Sequence, residues 1–282
     1  MTEESQYNEL IHKGDLADLV YADDTLLIGA SSAHVTEFLA AVAQAGSLYG
    51  LELHAGKFQL LQVQTNSKIN SVDGSQVATT DHLTYLGSTL ASDGRATAEL
   101  SRRIGMAKAD FRTLARVWKN SALTSKRKLA IYSSLVESKL LYSLSTATYT
   151  VAEVRRLDGF QAKCLRSILG IQPSFFSRIS NHTVRQRAGC RCFSKLLVDR
   201  QLMLFGTVLR SPEDSPLQTV SFTPGTMQPA TSRYVRRVGR PRKEWVPTVL
   251  SSAYQLAGER QILATVGSEA GWKQLVRSRR DV

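Results

Sequence analysis

The 282-residue chain is 43% hydrophobic, enough to bury a core and so to exclude a disordered tail, and its formal net charge of +12 with a pI near 9.8 points to polyanionic partners. Its longest apolar runs, such as Leu26 to Ala30, fall far short of the roughly 20 residues of a membrane span. The chain opens on Thr2-Glu3-Glu4-Ser5 in place of a basic and then apolar leader, so the expectation is an intracellular protein, nuclear or cytoplasmic, neither secreted nor in a membrane.

Charge is unevenly spread. Residues 1–94 hold 3 Lys/Arg against 12 Asp/Glu, whereas residues 95–282 hold 33 against 12. An acidic metal-binding module joined to a basic nucleic-acid clamp fits this division, and so does ordinary surface charge on a helical protein. Cys164, Cys190 and Cys192 are too few for a disulfide framework.

In chain order, Leu16/Leu19/Val20 and Leu26/Leu27/Ile28 flank Asp23-Asp24-Thr25, as in a strand hairpin with an exposed tip. Residues 33–49 carry Val35, Phe38, Leu39, Val42 and Ala43 at helical spacing, with Gly50 at the stop position. Residues 58–64, 68–72 and 83–90 read as short strands with turns at Asp73-Gly74 and Asp93-Gly94. From Ala98 the period becomes helical: Leu100, Ile104, Ala107, Phe111, Leu114 and Trp118 form one stripe. Further helices are expected over 125–142, with Leu129, Tyr132, Leu135, Val136 and Leu140 inward, over 152–169, with Cys164 inward, and over 193–209. The Pro-, Ser-, Thr- and Gly-rich residues 211–233 read as a linker, 233–243 are intensely basic, and 245–249 and 270–276 hint at terminal helices. The fold class expected is α+β: residues 1–94 as a module of short antiparallel strands plus helix, 95–210 as a helical domain, 211–244 as a basic linker and 245–282 as short C-terminal helices.

The feature with chemistry in it is Tyr21-Ala22-Asp23-Asp24. Adjacent carboxylates repel unless a cation compensates them, and a divalent metal takes hard oxygen ligands of this kind. In two-metal phosphoryl transfer such carboxylates must sit on rigid backbone. The apolar runs on either side distinguish this pair from a solvated loop. By contrast Cys190-Arg191-Cys192 with His182 lacks the Cys-x2-Cys spacing and fourth ligand of a structural zinc site, and no zinc is expected.

Tyr21 to Asp24 resembles the Tyr-x-Asp-Asp palm motif of reverse transcriptases encoded by non-LTR retrotransposons. Gly50-Leu51 with Lys57 is similar to the next palm segment, and Tyr85-Leu86-Gly87 to the hairpin that grips the primer terminus. The resemblance continues through Arg102-Arg103-Ile104, Lys128-Leu129 with Tyr132, Leu140-Leu141-Tyr142, Arg155-Arg156-Leu157 with Phe160, Cys164-Leu165-Arg166 with Ile168-Leu169-Gly170, and Gly239-Arg240-Pro241 with Trp245, in the family's order over roughly residues 15–250. His54, Phe58 and Gly206-Thr207 depart from it, where the family carries Asn, Thr and Gly-His.

The resemblance implies part of a polymerase palm followed by a helical thumb, an RNA template and DNA primer as partners, and Mg2+ as cofactor. It implies Asp23 and Asp24 as catalytic metal ligands and Lys57 as a catalytic proton donor to pyrophosphate. Primer and template contacts would come from Tyr21, Tyr85, Leu86, Gly87, Arg102, Arg103, Arg112 and Arg116. The run Arg236, Arg237, Arg240, Arg242 and Lys243 reads as contacts to nucleic-acid backbone, to an AT-rich minor groove, or as a nuclear-targeting signal. The family's first catalytic aspartate and its fingers lie many tens of residues upstream of Tyr-x-Asp-Asp, and 20 residues precede Tyr21. The expectation is therefore an incomplete active site that is inactive alone; the alternative is a non-catalytic, basic nucleic-acid-binding protein derived from a retroelement.

Overall fold

The computed structural model describes residues 16–22, 24–230, 243–258 and 261–279, with side chains described from residue 18. The chain is α+β and divides into two units, residues 1–99 and 100–282.

In the first unit, β1 (Leu16–Tyr21) and β2 (Asp24–Gly29) form an antiparallel hairpin whose register runs from Leu16 opposite Gly29 to Tyr21 opposite Asp24. The apolar runs pair with each other, and Tyr21 and Asp24 form the last pair before the turn. Leu27 packs with Val35 and Phe38 of helix α1 (Ser32–Ser47), together with Leu39, Val42 and Ile69. Ser31 begins α1 by accepting the His34 amide at 3.5 Å, and Gly50 (φ 71°) takes the left-handed turn that follows its end. Strands β5 (His82–Tyr85) and β6 (Ser88–Ala91) form a second antiparallel hairpin.

One pairing departs from the expected all-antiparallel module. Strands β3 (Gln59–Leu61) and β4 (Ala78–Thr80) run parallel, because the chain between them is long enough to cross over and return in the same direction. The strand expected over 68–72 is reduced to a single bridge, Asn70 to Gln76, around the Gly74 turn (φ 82°).

The second unit is helical. Leu100, Ile104 and Ala107 of α2 (Thr97–Thr113) are buried as their spacing predicts, but the helix does not run on to Trp118. The chain turns at Leu114 into α3 (Ala115–Lys119). The Trp118 ring stacks on Phe111 at 4.9 Å, and its indole Nε1 donates to the Phe111 carbonyl at 2.7 Å. Buried Lys128 donates from Nζ to the Trp118 carbonyl at 2.8 Å, satisfying a helix-end acceptor.

Helix α4 runs from Ser125–Tyr132 through a π-turn, Ser133–Glu137, to Ser138–Leu140. The wider π-turn changes the angular position of the residues within it. Val136 takes the buried position and Leu135, expected inward, is 52% exposed. Helix α5 (Val151–Leu169) begins in a capping box between Thr150 and Glu153 and ends at left-handed Gly170 (φ 66°). The short α6 (Ser174–Ser177) and α7 (Asn181–Ala188) lead into α8 (Phe193–Arg210).

Helix α8 passes through two cores. Phe193 and Leu197 join Leu100, Trp118, Val136, Leu140, Leu157, Leu165 and Val184; Leu202, Phe205 and Val208 join Phe222, Val249, Ala253, Ile262 and Trp272. The second core is completed by Phe222, which follows α9 (Pro216–Ser221), and by α10 (Trp245–Ala257), α11 (Ile262–Gly267) and α12 (Glu269–Ser278). Residues 211–230 are therefore not the linker their composition suggested. Ser215 caps α9 with Pro216 at its first position, Gln218 Nε2 donates to the Val208 carbonyl at 2.8 Å, and the Phe222 ring lies 6.0 Å from that of Phe205. The remainder of that segment, 231–242, lies outside the described residues.

Candidate nucleic-acid site

At the tip of the first hairpin Ala22 takes a left-handed conformation (φ 53°), a geometry that lets a tight hairpin turn match the strand twist. Tyr21 and Asp24 face each other across the ladder, and both are exposed. Asp23 lies outside the described residues. Because side chains alternate along a strand, Asp24 and Tyr21 share one face of the hairpin, while Asp18, opposite Leu27, lies on the other. Asp18 is thus turned away from Asp24.

The Tyr85-Leu86-Gly87 hairpin is tight. Tyr85 pairs with Ser88, and both central residues have positive φ, 45° at Leu86 and 72° at Gly87. A leucine in that region is strained, by about 1–2 kcal/mol, and the surrounding bonds must hold it there. Among them, the Thr89 amide donates to Glu99 Oε2 at 2.9 Å. The Tyr85 hydroxyl donates to the Leu19 carbonyl at 2.8 Å, joining two hairpins 66 positions apart. Lys57 is exposed at the end of the 3-10 turn Ala55–Lys57, with no hydrogen bond or ion pair to either hairpin among the described residues.

The arginines of α2 divide. Arg112 and Arg116 (on α3) are exposed, as are Lys108, Lys119, Lys126 and Arg127. Arg102 is half-buried, with Nη1 3.4 Å from Met106 Sδ. Arg103, expected among the primer and template contacts, is instead 5% exposed: its guanidinium lies 4.6 Å from the Tyr142 ring centroid, and Nη1 donates to the Lys139 carbonyl at 3.4 Å. Its place on the helix turns it toward the first core, where the ring and carbonyl hold the charge. Lys243 is exposed, and its carbonyl accepts from Thr148 Oγ1 at 2.9 Å; Arg236, Arg237, Arg240 and Arg242 lie outside the described residues.

The chemistry open to the described residues is limited. A two-metal centre needs several carboxylates from more than one strand, and no group of three or more metal-capable side chains occurs among the described residues. Asp24 is a suitable hard donor, and among the described residues it stands without the two further donors such a centre needs. The Cys190 thiol is pushed up to about 11 by burial and by the nearby Glu137 carboxylate, and burial pushes Cys164 to about 12, so both stay protonated at neutral pH. No described helix is long and apolar enough to cross a membrane.

Phe175 and Phe176, absent from the residues the sequence singles out, stand exposed on α6. Adjacent phenylalanines bounded by Pro173 and Arg178, without a helical period to bury them, were the available signal.

The chain matches no protein-family model, no curated protein and no solved structure.

Proposed function

We propose that this chain is part of a non-LTR retrotransposon reverse transcriptase: residues 1–99 act as a portion of the palm that meets the primer end, and residues 100–282 act as a helical thumb on the phosphates of an RNA–DNA duplex. The supporting observation is the bond from the Tyr85 hydroxyl to the Leu19 carbonyl. It ties a hairpin resembling the primer grip to the hairpin bearing Tyr-x-Asp-Asp, so the two sequence motifs act at one place in the first unit. The exposed cations of α2, α3 and α4 supply a phosphate-binding surface without base readout. An intracellular setting, nuclear or cytoplasmic, goes with this reading.

Magnesium, when bound in a complete site, would activate the primer 3′-hydroxyl and stabilise the leaving oxygen. Asp23 and Asp24 are the residues proposed to contact it. Asp18 faces away from Asp24, and a further carboxylate from another strand is required. The 282 residues alone are therefore expected to extend a primed RNA template poorly or not at all. A non-catalytic nucleic-acid-binding protein is the second reading, favoured by the lack, among the described residues, of a group of three metal-capable side chains.

Primer extension with magnesium, run beside Asp23→Asn and Asp24→Asn, tests the catalytic part. The expected result is duplex retention without efficient extension. Robust extension that either substitution abolishes would show a complete site and overturn the proposed deficiency. Absence of duplex binding would overturn both readings.

A further inference from the structure

We propose that Phe175 and Phe176 form a stacking platform for unpaired bases of single-stranded nucleic acid. The inference rests on the nucleic-acid reading above and extends it from duplex phosphates to the bases of an unpaired strand.

Both rings are 72% exposed, with centroids 5.2 Å apart and planes at 85°. Large apolar side chains gain free energy by leaving water, so a pair held out in it needs a rigid support. That support is Arg166 of α5, 8% exposed. Its Nη1 donates to the Gln172 carbonyl at 2.9 Å and to Ser177 Oγ at 3.3 Å, and its Nη2 to the Ile179 carbonyl at 2.6 Å and Asn181 Oδ1 at 3.0 Å. Four bonds from one buried guanidinium brace both ends of α6. The Arg178 guanidinium stands 5.5 Å from the Phe175 ring centroid, and Arg178 has φ 56°.

The surroundings select the occupant. From Lys163 to Val198 the chain has seven Lys/Arg and no Asp or Glu. Arg166 is buried in the brace; Arg185 is engaged with Gln161 Oε1 at 3.0 Å, and Arg191 pairs with Asp199. Lys163, Arg178 and Arg187 remain exposed. Two aromatic faces within an acid-free, cationic segment match a ligand with π-faces and phosphates, since every base stacks and the backbone is a polyanion. Gln172, Ser174, Ser180 and Asn181 around the pair are exposed and polar, so the loop lacks the broad apolar face that a lipid surface takes up.

The test uses the whole chain and three labelled probes: a thymidine 12-mer, an abasic 12-mer of equal charge, and an RNA–DNA duplex of the same length. The unmodified chain is expected to bind the thymidine strand at least about 5-fold tighter than the abasic one, as base–aromatic stacking contributes roughly 5- to 150-fold per base. Phe175→Ala/Phe176→Ala should abolish that preference while leaving duplex affinity and melting temperature unchanged. Phe175→Leu/Phe176→Leu, which keeps apolar bulk without a π-face, should abolish it too. Equal binding of the two strands by the unmodified chain, or a preference surviving both double substitutions, overturns the stacking proposal alone. Failure to bind any of the three probes overturns it together with the nucleic-acid reading. Vesicle binding or self-association that depends on the two rings, without base preference, assigns the pair to a lipid surface or a second copy and also overturns the proposal.

Discussion

Raising monovalent salt from 50 to 200 mM is expected to weaken binding of this chain to an RNA–DNA duplex by about 10³-fold or more. Each phosphate neutralised by Lys or Arg releases counterions, and 6–10 such contacts carry a loss of roughly 10³ to 10⁵ over that range. The net charge of residues 95–282 overstates the available cations. Arg103, Lys128 and Arg166 are buried, and Arg185 and Arg191 are bonded to neighbouring groups. Lys108, Arg112, Arg116, Lys119, Lys126 and Arg127 on α2 to α4 are exposed, and with Lys163 and Arg187 they make a set of the required size. Arg112→Ala and Arg116→Ala should each lower the magnitude of the salt slope by about 1. Arg103→Ala should instead lower the melting temperature, because it removes a buried guanidinium packed on Tyr142 and bonded to the Lys139 carbonyl. Anisotropy titrations at four salt concentrations measure the slopes; an affinity independent of salt would exclude the phosphate mechanism.

The second large effect is on stability, and its sign depends on position. Alanine is better than glycine within a helix by about 1 kcal/mol. On α5, Gly159 is exposed and nothing lies within 4 Å of the position a Cβ would take, so Gly159→Ala should stabilise the chain by up to that amount. On α8, a Cβ at Gly206 would collide with Cδ1 and Nε1 of the Trp272 indole. That ring is fully buried, and its Nε1 donates to the Leu202 carbonyl at 2.8 Å. Moving it costs about 1–3 kcal/mol in packing, with a further 1–3 kcal/mol if the buried N–H loses its acceptor. After the helix gain of about 1 kcal/mol is set against this, the net cost is about 1–5 kcal/mol, and Gly206→Ala is expected to lower the melting temperature by roughly 2–20 °C, at about 2–4 °C per kcal/mol for a unit of this size. Thermal melts of the two variants decide it. Stabilisation by Gly206→Ala would contradict the close approach of α8 to Trp272.

These two glycines also mark how far the sequence alone reaches. Helices α5 and α8 were visible because apolar residues recur at helical spacing over five turns, and the first hairpin because two apolar runs frame a polar pair. The distinction between Gly159 and Gly206 was not, since it depends on Trp272, 66 positions downstream of Gly206 in the sequence. The same reason separates Arg103 from Arg112. Both stand on one basic helix, and only the ring of Tyr142 and the Lys139 carbonyl show which is turned inward. Strands of three residues carry no alternation from which the parallel pairing of β3 with β4 could be inferred. Residues 211–230 looked like a linker because composition outweighed two local signals, the Ser215-Pro216 helix start and the apolar anchor Phe222. In the candidate site, the Tyr85 side chain was singled out by resemblance alone, and its bond to Leu19 depends on how the two hairpins fold together.

The proposed function requires those two hairpins to receive a primer end together. It is tested most directly by photocrosslinking the chain to an RNA template annealed to a DNA primer carrying 4-thiothymidine at its 3′ terminus, followed by peptide mapping. Crosslinks are expected in residues 16–29 and 82–91, lost when the thio base is moved to the primer 5′ end. Crosslinks confined to residues 100–282, or unchanged by that move, would contradict it.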